Sequence, residues 1–130
     1  MLMNMKVSFF EDKFVEAIRA GIYEIYIQKD DKEELLYVGE SVFVLVRCAT
    51  HLYEIVKGEG YLGFDKELLE KDNIMLKFKL AYSIGDKKER KDKEIELIKE
   101  KKPKMQSGIG DRVKSIEDMI NELKNLLNNE

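Results

Sequence analysis

The fold is decided by the stretch from residue 21 to residue 39, which has the sequence GIYEIYIQKDDKEELLYVG. Residues 22–27 are rich in β-branched and aromatic side chains, a composition that is typical of a strand. The polar residues 29–34 predict a turn, and the apolar residues 35–39 predict a second strand. The stretch therefore predicts a β-hairpin.

Upstream of this hairpin, the sequence predicts a helix over about residues 9–19. Residues 8–11, SFFE, form a capping-box signature, in which a serine and a glutamate cap the first turn of a helix. Phe10, Phe14 and Ile18 then recur at helical spacing. We expect this N-terminal helix to end before the hairpin.

Downstream, the pattern predicts two main helices and a third strand. Ser41 is a suitable N-cap for a helix that ends at Gly58. Residues 74–82 alternate between polar and apolar side chains, which indicates a half-buried strand. Asp86 opens a second capping box, and Pro103 must end the helix that follows, because the residue before a proline is pushed out of the helical region.

The segment after residue 106 predicts a flexible joint and then an amphipathic helix. Ser115 is its candidate N-cap, and one stripe carries the apolar residues Ile116, Met119, Ile120, Leu123, Leu126 and Leu127. The simplest interpretation is that this stripe packs against the domain, whereas an exposed stripe would be a dimer seam. We therefore expect an α+β protein with an N-terminal helix (1–19), a central domain (20–106) and a linker with a C-terminal helix (107–130).

The composition excludes several classes of protein. Of the 130 residues, 44% are hydrophobic, which is enough for a core and excludes a wholly disordered chain. The longest aliphatic or aromatic run, residues 42–46, is far short of the ~20 residues that span a bilayer, and the first six residues lack the order of a signal peptide. The single cysteine, Cys48, permits no internal disulfide and no cysteine-based zinc site, so we expect a cytoplasmic protein.

Five side chains make a set that is suited to phosphate chemistry if they converge. Tyr23 and Tyr37 lie on the two strands of the hairpin, each close to a glycine, and Arg47 and His51 are four residues apart on one helix face. Glu94 lies on the later helix among other charged residues. Taken singly, each has an ordinary explanation: strand aromatics, a surface arginine, a partly buried histidine and a solvated carboxylate.

The order and spacing of these residues resemble a known family. Gly21-Ile22-Tyr23 followed by Tyr37-Val38-Gly39 resembles the paired signature of the GIY-YIG nuclease superfamily, and Arg47 lies ten residues after Tyr37, as the arginine of that family does. Glu94, followed by Leu97-Ile98, Pro103 and Gln106, resembles the closing motif. His51 resembles the histidine of the homing and restriction branches. The resemblance covers roughly residues 20–106.

The resemblance implies a metal-dependent endonuclease that hydrolyses phosphodiester bonds in DNA, on a three-stranded antiparallel sheet flanked by helices. Glu94 would bind one Mg²⁺ or Mn²⁺ ion, and Arg47 would bind the scissile phosphate. Tyr23 would be the general base or orient the attacking water, Tyr37 would position that water, and His51 would accept a phenol proton. Gly39, Gln106, Lys99 and Lys102 would be substrate contacts.

Two residues depart from the family pattern. Many members have a lysine directly after the second signature, whereas this chain has Glu40, whose charge would repel phosphate and raise the pKa of a neighbouring phenol. Gln106 replaces the usual asparagine, a milder change. The alternative function is therefore a catalytically weak or inactive member that binds nucleic acid or a protein partner.

The charge distribution bears on the partners. With 23 basic and 26 acidic residues the net charge is −3, which argues against a surface that binds nucleic acid throughout. Residues 86–104 carry nine basic and six acidic side chains, so this window is basic. We expect DNA as the partner, with RNA as an open alternative, and a homodimer or protein partner through the C-terminal helix as a further possibility. No membrane association is expected.

Overall fold

The structure of the protein, a computed structural model, describes residues 3–106, 120–121, 123–125 and 127. Four strands, three α-helices and two short 3₁₀ turns follow one another along residues 3–106. The strands are β1 (Lys6–Phe9), β2 (Gly21–Lys29), β3 (Lys32–Ser41) and β4 (Ile74–Ser83). The helices are α1 (Val44–Val56), α2 (Lys66–Leu69) and α3 (Lys87–Lys101), and the 3₁₀ turns span Glu16–Ile18 and Tyr61–Gly63.

The strands form one mixed sheet with the order β1-β4-β2-β3. The predicted hairpin is confirmed, because β2 pairs antiparallel with β3 from Gly21–Ser41 to Lys29–Lys32. The predicted third strand is β4, which pairs antiparallel with β2 on its other edge. The expected three-stranded antiparallel sheet is nevertheless wrong, because β1 adds a fourth strand that runs parallel to β4.

The predicted N-terminal helix over residues 9–19 is also wrong. Phe9 belongs to β1 and packs edge-on against Phe78 of β4, with ring centroids 5.1 Å apart. Phe10 has a left-handed backbone (φ 52°), which a continuous helix does not permit, and Phe14 and Ile18 are exposed. Pairing with β4 therefore overrides the local helical pattern, and only the turn Glu16–Ile18 remains of it.

The other helices begin and end close to the predicted residues. The Asp86 side chain accepts a hydrogen bond from the backbone N–H of Glu89 at 2.9 Å, and so caps α3 as expected. This helix ends at Lys101, and Lys102 adopts the left-handed conformation just before Pro103. The predicted N-cap of α1 differs, because Ser41 bonds to the N–H of Phe43 and the helix begins only at Val44.

The sheet separates two apolar clusters. The larger one lies between the sheet and α1 and includes Tyr23, Ile25, Phe78, Val44, Cys48 and Ile55. The smaller one contains Ile22 and Val38 of the sheet together with Leu97 and Ile98 of α3. Because side chains alternate between the faces of a strand, α1 and α3 cover opposite faces. The site residues of both helices can therefore meet only beyond the ends of the strands or around the free edge of β3.

Part of the predicted C-terminal helix belongs to the described residues. Residues 120–121, 123–125 and 127 are helical, and Leu123 and Leu127 are buried in the larger cluster. These two leucines therefore pack against the domain, whereas Ser115, Ile116, Met119 and Leu126 lie outside the described residues. Among the described residues, none of the helices combines the length and the apolar character that crossing a membrane requires.

Candidate active site

The register of the hairpin explains why Gly39 is a glycine. Tyr23 of β2 pairs with Gly39 of β3, and the Tyr23 ring lies across the glycine. A Cβ atom at position 39 would overlap the Tyr23 hydroxyl and its ring carbon Cζ. Gly39 therefore accommodates the catalytic candidate Tyr23, and the space above it is filled by this side chain rather than left open for a substrate.

Tyr37 lies beside Tyr23 at the same end of the sheet. Their rings are stacked, with centroids 6.2 Å apart and an interplanar angle of 26°. The Tyr37 ring also lies 5.1 Å from the His51 ring of α1. The structure thus brings together three of the predicted residues, from two strands and one helix.

His51 is bonded through both of its ring nitrogens. Its Nε2 lies 2.7 Å from the Tyr23 hydroxyl, and its Nδ1 lies 2.7 Å from the hydroxyl of Tyr61. The side chain is 1% exposed, and this burial lowers its pKa to about 4. At neutral pH the imidazole is therefore uncharged and has one donor nitrogen and one acceptor nitrogen.

Tyr61 is a site residue that the sequence analysis missed. It begins the 3₁₀ turn after α1, in a loop where Gly60 and Gly63 have positive φ angles of 101° and 89°. The only signal in the sequence is this spacing of glycines around a tyrosine, which predicts a tight turn but not its contact with His51.

Arg47 lies one helical turn before His51, and its side chain is exposed. Burial raises the pKa of both Tyr23 and Tyr37, and the positive charge of Arg47 opposes that rise at each hydroxyl. The guanidinium is therefore close to both phenols and still accessible from solvent. This position is suited to a group that binds an incoming phosphate.

Glu94 of α3, the fifth of the predicted residues, is close enough to Tyr37 for its charge to act on that hydroxyl. Its carboxylate is half-buried and close to the backbone of Glu40. The pKa of Glu94 is raised, mainly by burial and to a smaller extent by the negative charge of Glu40. A divalent cation at this position would relieve that unfavourable charge.

The donor set at Glu94 fits one kind of metal site. In the described part of the chain, no three His, Cys, Asp or Glu side chains are grouped so that they could hold an ion. A single carboxylate fits Mg²⁺, which keeps several waters and takes further ligands from phosphate oxygens, and does not fit a metal that needs a protein cage. Glu94 is therefore the residue that would hold such an ion.

Glu40, which stands where the resemblance leads us to expect a lysine, pairs with basic residues of α3. Its carboxylate forms ion pairs with Arg90 (2.6 Å) and Lys91 (3.3 Å), and Arg90 is 3% exposed and also donates to the Gly85 carbonyl. Burial alone would raise the pKa of Glu40, but the hydrogen bonds from Arg90 and Lys91 outweigh it and lower the pKa. The repulsion of phosphate that we expected from this carboxylate is thereby reduced.

The remaining predicted substrate contacts are not gathered around the tyrosines. The side-chain oxygen of Gln106 accepts a hydrogen bond from the backbone N–H of Val38 at 2.9 Å, so this residue fixes β3 beside the site. Lys99 and Lys102 are exposed at the C-terminal end of α3, and among the described residues no contact joins them to the site. Their role as phosphate contacts stays a prediction.

Acid is expected to destabilise the protein through His51. Because the pKa of about 4 in the folded state is below the ordinary 6.5, the unfolded chain binds more protons between these values, and stability falls as the pH falls through this range. The His51 contribution is about 3 kcal/mol when the pH reaches 4. Urea unfolding at pH 7 and pH 4.5 measures it, with His51→Gln as the control, since both chains share the same carboxylates. Equal losses of stability in the two proteins would contradict this assignment.

None of the family models, curated proteins and solved structures compared with this chain matches it. The resemblance to the nuclease superfamily therefore stays a prediction from the motif residues.

Proposed function

We propose that the protein is a metal-dependent endonuclease of the GIY-YIG type that hydrolyses phosphodiester bonds in DNA. One observation carries the proposal: Tyr23, Tyr37, Arg47 and His51 converge at one end of the sheet, and the carboxylate of Glu94 acts on the same Tyr37 hydroxyl. A structural role alone does not require a buried phenol, a half-buried phenol, a buried histidine and an exposed guanidinium close together.

Arg47 is the phosphate-binding group in this proposal. Its planar guanidinium offers paired donors to two phosphate oxygens, and it keeps its charge at every physiological pH. Because it is exposed, it can reach a phosphate on the surface of the protein. The charge that develops on the phosphate in the transition state is stabilised by the same donors.

Tyr23 and Tyr37 orient the attacking water, and His51 takes the proton that is released. Burial raises the pKa of Tyr23, so a free phenolate is unfavourable. Tyr23 therefore passes its own proton to Nε2 of His51, 2.7 Å away, as its oxygen receives the proton of the water. Tyr37 holds the other side of this water.

Glu94 holds the divalent ion, Mg²⁺ or Mn²⁺. When bound, the ion supplies a Lewis acid that polarises the phosphate. Glu94 is half-buried and its charge acts on Tyr37, whereas the hydrogen bond to Nε2 of His51 is made by the other phenol, Tyr23. The ion pairs of Glu40 with Arg90 and Lys91 keep the second carboxylate engaged.

DNA is the substrate that we favour, with Lys99 and Lys102 at the end of the basic helix α3 as additional phosphate contacts. The net charge of −3 indicates that non-specific binding is weak, so affinity depends on the metal, on the shape of the substrate or on a partner. The single cysteine, buried in the core, fits a reducing cytoplasm as the place of action.

Incubation of the purified chain with nucleic acid tests this function. We expect nicking of supercoiled plasmid, or cleavage of a branched or single-stranded DNA, with Mg²⁺ or Mn²⁺, and none when EDTA is present in excess. Parallel reactions with RNA of the same sequences identify the preferred nucleic acid. If the chain binds these substrates but cleaves none of them, the proposed enzymatic activity is wrong. That result would favour a nucleic-acid-binding module on the same scaffold.

A further inference from the structure

The hydrogen bond of Tyr23 determines which nitrogen of His51 carries a hydrogen. In the substrate-free protein Tyr23 is 1% exposed, and a buried hydroxyl must donate its hydrogen to an acceptor in the protein. Arg47, which also approaches this oxygen, has donors only. In the described part of the chain, the acceptor within hydrogen-bonding distance is Nε2 of His51, at 2.7 Å. Tyr23 is therefore the donor and Nε2 the acceptor.

The other nitrogen of the ring must then carry the hydrogen. A neutral imidazole has one N–H and one bare nitrogen, so a bare Nε2 means that Nδ1 is protonated. Nδ1 lies 2.7 Å from the Tyr61 hydroxyl oxygen, which accepts its hydrogen. Tyr61 is half-buried, so its own hydroxyl hydrogen can be donated to water at the surface. The burial of Tyr23 therefore determines the donor and the acceptor in both hydrogen bonds, from Tyr23 to His51 and from His51 to Tyr61.

The loop that carries Tyr61 is built around this contact. Gly60, just before Tyr61, and Gly63, two residues after it, both have positive φ angles, and Leu62 has a left-handed backbone (φ 52°) that a leucine rarely adopts. Leu62 is 5% exposed and belongs to the larger core cluster. The core therefore holds a strained turn in place, as happens at functional sites, and this turn presents the Tyr61 hydroxyl to His51.

We propose that Tyr61 is a positioning residue for the reaction: it accepts the Nδ1 hydrogen of His51 and so keeps Nε2 available for the proton of Tyr23. The catalytic part of this inference rests on the proposed nuclease function, whereas the direction of the hydrogen bonds does not. Tyr61 would act through His51 and would not touch the phosphate.

The hydrogen bonds from Tyr23 through His51 to Tyr61 also form a path by which the proton of the attacking water can leave the site. The water proton binds to the Tyr23 oxygen, the Tyr23 O–H bond breaks, and its proton forms a bond with Nε2. The Nδ1–H bond then breaks, its proton binds to the Tyr61 oxygen, and the original hydroxyl proton of Tyr61 passes to solvent. One proton leaves the site, no residue is oxidised or reduced, and His51 does not retain the charge that its burial disfavours.

The ring nitrogens of His51 can be observed directly, because it is the only histidine in the chain. In the wild-type protein with ¹⁵N-labelled histidine, at neutral pH, NMR is expected to show a protonated Nδ1 and a bare Nε2. In Tyr61→Phe, which keeps the ring, the Nδ1–H signal is expected to broaden through exchange with solvent. A wild-type spectrum with the proton on Nε2, or an unchanged Nδ1–H signal in Tyr61→Phe, would overturn the proposal.

Cleavage kinetics test the catalytic part. Tyr61→Phe is expected to lower kcat about 100-fold and to leave KM unchanged, since proton transfer by a positioned group contributes on this order. Tyr53→Phe is the control, because Tyr53 is an exposed tyrosine on α1 outside this network. A Tyr61→Phe enzyme with the wild-type kcat overturns the positioning role. If the wild-type chain has the predicted tautomer of His51 but cleaves no nucleic acid, the proposed nuclease function is wrong. The assigned directions of the hydrogen bonds would still hold.

Discussion

Replacing Glu94 with glutamine is expected to lower metal-dependent cleavage by about 1,000-fold, because the site offers a divalent ion one carboxylate and the amide removes its charge. The fold is expected to survive. Burial and the charge of Glu40 already raise the pKa of Glu94, so the ionised form is disfavoured in the folded protein, and the neutral amide relieves this. Single-turnover cleavage and a thermal unfolding midpoint that stays equal or rises would together establish the metal-ligand role.

Glu96→Gln is the matched control for this experiment. Glu96 lies two residues further along α3, its side chain is 59% exposed, and it pairs only loosely with Lys93 at 3.5 Å. The change removes the same charge from the same helix, so we expect wild-type cleavage. Full activity of Glu94→Gln would show that Glu94 does not hold the ion, and a comparable loss in Glu96→Gln would indicate a general effect of charge on α3.

Replacing Arg47 is the second change for which we expect a large effect. Arg47→Ala is expected to abolish measurable cleavage, and Arg47→Lys to lower kcat about 100-fold, because lysine keeps the charge but not the planar pair of donors. Arg47 is exposed, so the unfolding free energy is expected to change little.

Lys57→Ala, beside the C-terminal end of α1, provides the control for the loss of positive charge. Lys57 pairs with Glu54 at 3.0 Å and lies at the far end of the helix from Arg47. The Lys57→Ala variant is expected to cleave at the wild-type rate. Wild-type activity in Arg47→Ala would exclude Arg47 as the phosphate-binding group, whereas full activity in Arg47→Lys alone would show that a point charge is sufficient.

The hairpin could be predicted because its information is local. Residues 21–39 contain both strands and the turn, and the observed register follows from their alternation and from the need to place Gly39 opposite Tyr23. Spacing alone did not predict that Tyr23, Tyr37, Arg47 and His51 converge; the resemblance of their motifs to the nuclease superfamily implied it. Strand, hairpin and the start of the next helix are consecutive in the chain, so little freedom remains between these side chains.

The features that were not predicted depend on contacts between distant segments. The capping-box pattern of residues 8–11 predicts the start of a helix, but Ser8 and Phe9 pair with β4 and Phe9 packs against Phe78, so they belong to a strand. Glu40 finds Arg90 fifty positions away, so this ion pair leaves no local pattern. Tyr61 reaches His51 through a strained turn that the core holds in place.

Folding of this sheet requires contacts of very different reach along the chain. Lys29 and Lys32 pair across the turn of the hairpin, whereas Lys6 of β1 pairs with Met75 of β4, which lies far along the chain. The entropy lost on closing a loop grows with its length, and short-range contacts form first. We therefore expect the hairpin to form early and β1 to join last. The candidate catalytic residues Tyr23 and Tyr37 lie on the hairpin, so this part of the site can assemble before the sheet is complete, and fraying of the N-terminal strand leaves it in place.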